Sequence, residues 1–199
     1  MIRVETLRPR TGAVVPLPIV PEDGLYLWDW GICDSGTEEC YLTPSRIVKK
    51  LISGFQATWA KIPERDRDKL TDFWHSRLPP RPGYDSKPSP AIELNSWCLK
   101  PRYVAACRGG RELLFSVDFL DRAKRPAICN TIAHELAHAI SHAHGWFQQH
   151  DCTAHLGECL ACECRAHSYM AAWGFDPFED VLPKVKSGLL IDRLAERLT

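Results

Sequence analysis

The chain has 199 residues, 45% hydrophobic and 25% charged, with 25 Lys+Arg against 25 Asp+Glu. That length and composition suit one compact globular domain, and a net charge of zero excludes a global electrostatic drive toward nucleic acid or an anionic membrane. The N-terminus, Met1 to Arg8, is charged where a secretion leader would be apolar, and no run approaches the ~18 apolar residues of a membrane span, so a cytoplasmic protein with no membrane partner is expected. Nine cysteines in such a chain point to reduced thiols or a metal site and away from a disulfide framework.

Residues 1 to about 42, with Pro16, Pro18 and Pro21 around short apolar runs such as Leu25 to Trp28, predict loops and short strands. Thr43-Pro44-Ser45 reads as a helix start with Thr43 able to cap, and Ile47, Leu51, Phe55 and Trp59 give one apolar face to a helix over 45–60. Pro63-Glu64 opens a second helix bearing Leu70, Phe73 and Trp74, and the two helices are expected to form an antiparallel pair. Five prolines at 79, 80, 82, 88 and 90 make an extended connection. They divide an N-terminal helical and loop region (1–90) from the remainder (91–199), although the whole can still form one unit. Tyr103 to Cys107 and Leu113 to Phe119, joined by Arg108-Gly109-Gly110, read as a β-hairpin. The tryptophans at 28, 30, 59, 74 and 97 are expected in the core.

Pro126 then opens a helix, expected at about 126–143, with the apolar stripe Ile128, Ile132, Leu136 and Ile140. Within it stands His134-Glu135-Leu136-Ala137-His138, an H-E-x-x-H pattern. Histidines four apart share one helix face and can hold one Zn²⁺, with Glu135 beside the open coordination position as general base. Zinc lowers the pKa of its water to about 7 and polarises a carbonyl, which is the chemistry of peptide hydrolysis.

A third ligand is expected further on. Glu163 lies 25 residues beyond His138 in a segment that reads as a helix over about 156–172, with Leu156, Cys159, Leu160, Ala166 and Met170 facing inward. A carboxylate in that setting needs a partner, and zinc would be one. His144 competes, because His134 to His144 has the spacing H-E-x-x-H-x-x-G-x-x-H with Ser141 in the glycine's place. Glu158, on the more polar side of its helix, follows, with His150 and His155 behind it. His142, His150, His155 and His167 crowd the motif and could serve an oxyanion or orient a ligand, as could Tyr169 and Arg165. Cys159, Cys162 and Cys164 diverge in direction on one helix, so with Cys152 they are expected to be reduced thiols and not a second zinc site.

On these residues the chain resembles the gluzincin branch of zinc metallopeptidases, in which H-E-x-x-H is completed by a glutamate from a following helix. Glu163-Cys164-Arg165-Ala166, followed by Gly174-Phe175, is similar to the E-x-x-A-D segment of membrane-associated and related minimal gluzincins, with His167 where the family has aspartate. The resemblance covers about residues 112–176. It implies an α+β zincin-like domain with a small sheet, one catalytic zinc ion held by His134, His138 and Glu163, a protein or peptide substrate, and a strand at Leu113 to Phe119 forming the cleft's edge. Two alternatives accompany it: a protease of metzincin, Spartan-like or WLM-like type using His144, and a non-catalytic zinc-binding regulatory module. Spartan-like and WLM-like proteases act on proteins crosslinked to DNA, a role that the neutral charge and the lack of a long Lys/Arg run argue against here.

Overall fold

The computed structural model describes residues 17–29, 31–33, 40–75, 91–94, 104–145 and 160–176. The proline-rich connection, Trp30, Trp97 and the segment 146–159 lie outside them. Four strands come first: β1 (Leu17–Val20), β2 (Leu25–Asp29), β3 (Ile32–Cys33) and β4 (Cys40–Tyr41). Helices α1 (Ser45–Trp59) and α2 (Glu64–His75) follow, then β5 (Ala91–Leu94), β6 (Ala105–Arg108) and β7 (Glu112–Phe115). The chain continues through α3 (Val117–Arg122), α4 (Arg125–Ala143) and α5 (Leu160–Ala172). Among the described residues, no helix is long and apolar enough to cross a membrane.

The architecture is mixed α+β. Five strands form one sheet in the order β1-β2-β5-β7-β6, with β2, β5 and β7 parallel and the two outermost strands, β1 and β6, antiparallel to their neighbours. The sheet therefore joins strands from both sides of the proline-rich connection. Strand alternation directs Leu25, Leu27, Ile92, Leu94, Leu113 and Phe115 into a core shared with Ile47, Leu51 and Phe55 of α1 and with Ile132, Leu136 and Ile140 of α4; all are at most 1% exposed. Each such aliphatic side chain contributes about 1.5–3 kcal/mol by leaving water.

Two local expectations are corrected. Thr43 does not cap α1: its hydroxyl donates to Asp29 Oδ1 at 2.6 Å, and Pro44 stands at the N-cap without a side-chain hydrogen bond. The run Leu113 to Phe119 is not one strand, because Ser116 ends β7 and accepts from the Phe119 N–H as the N-cap of α3. β7 is also an interior strand, so among the described residues the outermost strand on that side is β6. Sequence periodicity gives strand faces but not strand order, which is fixed by the parallel pairing of β7 with the distant β5.

Buried α4 runs against α1, α2, α5 and β6. Small residues admit these neighbours: Ala133, Ala137 and Ala139 are fully buried, and Gly54 of α1 lies where a Cβ would stand 2.8 Å from Ile128 Cγ2. Thr58 Oγ1 donates to the Gly54 and Cys129 carbonyls across the same crossing. Lys50 Nζ donates to the carbonyls of Leu120, Asp121 and Ala123, a cationic cap on the C-terminus of α3. Trp59 and Trp74 stack at 6.0 Å, while their indole N–H groups donate to Asp23 and to the Gly110 carbonyl. Trp28, Trp59 and Trp74 are buried, in line with the core expectation.

The β6–β7 turn is clamped onto α4 at one point. Gly110 has φ +72°, and a Cβ there would lie 2.4 Å from His142 Cβ. Gly110→Ala combines left-handed strain with overpacking and is expected to cost about 2–4 kcal/mol. Gly109→Ala, also at positive φ but with nothing within 4 Å, should cost only about 1–2 kcal/mol. Denaturant unfolding of the two variants side by side checks the difference.

Candidate metal centre

His134 and His138 sit one turn apart on α4, and α5 packs along that face. Ala166 and Met170 bury the inner side of α5 at 0% and 1% exposure, which orients Glu163 toward the two histidines. The α5 helix ends in a Schellman turn: Phe175 N–H donates to the Met170 carbonyl and Gly174 N–H to that of Ala171, with Gly174 at φ +75°. Trp173 Nε1 donates to Asp66 Oδ2 at 2.8 Å, tying that end to α2.

Three donor groups converge. His134 Nε2 and His138 Nε2 are 3.1 Å apart; Glu163 places Oε2 at 3.2 Å from the first and Oε1 at 3.3 Å from the second. Two donors on a tetrahedral ion at about 2.0–2.1 Å stand about 3.3–3.4 Å from each other, so the spacing fits a zinc-sized cation. The chemistry of the set fits as well: two imidazoles and a carboxylate with lone pairs turned on one another need a proton or a cation between them. A donor atom of His167, one turn beyond Glu163 on α5, also lies within 4.8 Å of donors from His134 and Glu163.

Glu135 points to another neighbour. It is 6% exposed and accepts from the backbone N–H of Cys107 in β6. Burial raises its pKa from the ordinary 4.5, with the charges of His134 and His138 opposing. The Ser116 N–H donates to the Val104 carbonyl, so the hydrogen-bonded pairs of the β6–β7 ladder are 104/116, 106/114 and 108/112. The N–H and C=O groups of Ala105 and Cys107 therefore face away from β7, at the outer edge beside Glu135.

The remaining residues singled out from the sequence are placed as follows. At Ser141 the chain does not turn; its hydroxyl donates to the Ala137 carbonyl and α4 continues to Ala143. That continuation carries His144 off the face of His134 and His138 and against the ring of Tyr169, with centroids 6.2 Å apart. Burial and the nearby Lys69 and Arg165 lower its pKa. Tyr169, six residues from Glu163, points to a different side of α5 and packs on Trp173, with Arg165 over its ring. His142 lies against Gly110, and burial followed by the charge of His138 takes its pKa down to about 4. For His167, burial and then His134 have the same effect, to about 4. Glu158, His150, His155, Cys152 and Cys159 lie outside the described residues. Cys107 and Cys129 are free thiols.

Sequence reasoning missed the Cys107 N–H and the Gly110–His142 contact. Both depend on which strand becomes the sheet edge. The Gly109-Gly110 turn was the available signal, and it marks the hairpin without indicating what the hairpin touches.

Without metal, the cluster makes stability depend on pH. Burial pushes Glu163 up, but hydrogen bonds from His134 and His138 overcome it and hold the carboxyl well below the usual 4.5. His134 moves the other way: burial lowers it, yet Glu163 and Glu135 raise it above 6.5. A depressed carboxylate stabilises fully above its unfolded pKa and loses that effect as pH falls; a raised histidine stabilises below its unfolded pKa and loses that effect as pH rises. The stability deficit of Glu163→Gln relative to the metal-free parent should therefore be greatest between pH 4.5 and 6.5. Denaturant titrations of chelator-treated protein from pH 4 to 8 test this, and a deficit that keeps growing toward pH 8 would contradict it.

No family model, curated protein or solved structure matches this chain.

Proposed function

We propose that this protein is a zinc-dependent metallopeptidase with a zincin-like catalytic domain, hydrolysing peptide bonds in a protein or peptide substrate. The observation that carries the reading is the convergence of His134, His138 and Glu163 to within 3.1–3.3 Å, with Glu135 from the same helix turn facing the sheet edge. The sheet order, with an antiparallel edge strand beside the H-E-x-x-H helix, supports it further. When bound, a zinc ion supplies Lewis-acid polarisation of a carbonyl and a water acidified to a pKa near 7.

The chain supplies the remainder. His134, His138 and Glu163 would hold the ion. Glu135 takes the proton of the attacking water and passes it to the leaving amine; burial, by raising its pKa, suits it to both halves of that task. The Cys107 N–H fixes the orientation of the carboxylate. The edge role that the resemblance assigned to Leu113 to Phe119 would fall to β6, the outermost strand on that side among the described residues. His144 is left to pack on Tyr169.

Elemental analysis of the purified protein should find near one zinc per chain, sharply reduced in Glu163→Ala and retained in His144→Ala. Glu135→Gln should keep its zinc and lose about 10²–10⁴-fold in kcat on a peptide substrate. Zinc retained by Glu163→Ala would remove that residue from the ligand set. Equal turnover by Glu135→Gln would remove the base, and an absence of turnover in both proteins would favour a non-catalytic zinc module.

A further inference from the structure

Each of the two facing helices contributes a pair of metal-capable residues at the same spacing. On α4 the pair is His134 and His138; on α5 it is Glu163 and His167, also four apart and therefore on one face. Across the interface His134 lies near both members of the α5 pair. Donor atoms of His134, Glu163 and His167 all fall within 4.8 Å of one another, a set that does not include His138, which meets His134 and Glu163 on its own side of the cluster.

Ring geometry narrows what His167 does there. Two imidazoles bound through nitrogen to one tetrahedral ion, at about 2.0–2.1 Å, have ring centres about 5.2 Å apart. The His134 and His167 centroids are 5.3 Å apart with planes inclined at 53°, and those of His134 and His138 are 4.7 Å apart at 82°. Both pairs are splayed as ligands of one ion are. The contrast is the His144–Tyr169 pair, nearly parallel at 9° and 6.2 Å, which is a packing contact.

We infer that His167 is a fourth protein donor to the ion held by His134, His138 and Glu163, so that two pairs of residues four apart, one from each helix, enclose the metal. The inference rests on the proposed zinc site and adds a ligand to it. A set of three nitrogens and a carboxylate leaves no open tetrahedral position. The resting site is then closed, and hydrolysis requires that His167 leave the ion or that the coordination expand.

The histidine ligands can be counted directly. The protein is stripped with chelator, loaded with one equivalent of Co²⁺ and examined by proton NMR, where each ligating imidazole gives a strongly shifted, exchangeable N–H resonance. Three such resonances are expected for the parent, two for His167→Gln and three for His144→Ala. Two in the parent would overturn the inference and leave the three-ligand site standing. Three that persist in both His167→Gln and His167→Ala would assign the third to another histidine and overturn it as well. No shifted resonance, with Co²⁺ unbound, would overturn both this inference and the zinc site beneath it. If both variants fail to fold, two resonances in the parent would still overturn the inference.

Discussion

Three polar groups, the imidazoles of His134 and His138 and the carboxylate of Glu163, are held about 3 Å apart where two helices meet. Their lone pairs face inward, so the cluster is stable only when positive charge lies among them: protons in the metal-free protein, a cation otherwise. Much of the surrounding structure reads as the means of holding that arrangement. α4 carries alanines where other elements press on it, which brings them close enough to fix its rotation. α5 is stopped by Gly174 and pinned by Trp173 to Asp66, which fixes how far along α4 its carboxylate reaches.

Glu135 shows how the sheet serves the same centre. A buried carboxylate beside His134 would be costly without partners, and one of them is the Cys107 N–H, which is turned away from β7 because β6 has no strand on its other side among the described residues. Had β6 been an interior strand, the Cys107 N–H would have been spent on a neighbouring strand. Burial governs the protonation of Glu135, the two histidines oppose it, and the strand order adds the smaller effect of the Cys107 N–H. The Gly110–His142 contact sets the height of the hairpin over α4, and Trp74 holds that turn from α2.

Much of this was legible in the sequence because it is local. The four-residue stripes gave α1, α4 and α5, and H-E-x-x-H located the histidines and the glutamate on one helix. Glu163 stood out because a carboxylate on an inward face demands an explanation. What was not legible depends on pairing between distant segments. Nothing near Leu113 says that β7 lies beside β5, and nothing near Thr43 says that Asp29 will claim its hydroxyl. Ser116 interrupts an apolar run that alternation alone would extend, and only its capping geometry marks the change of element. The partner of Glu135, 28 residues earlier in the chain, follows from the same long-range choice.

The strand order has a further consequence, for the sequence of events during synthesis. β7 is made after β6 but lies between it and β5. The β6–β7 pair, local and joined by a tight turn, can form early, yet it has no fixed position until β5 accepts it, and such non-local pairing is slow. α4 must then lie over the completed sheet before α5, the last of these elements to be translated, can bring Glu163 to the histidines. The donors therefore come together only in a finished fold, and a partly made or partly unfolded chain carries the motif without the cluster.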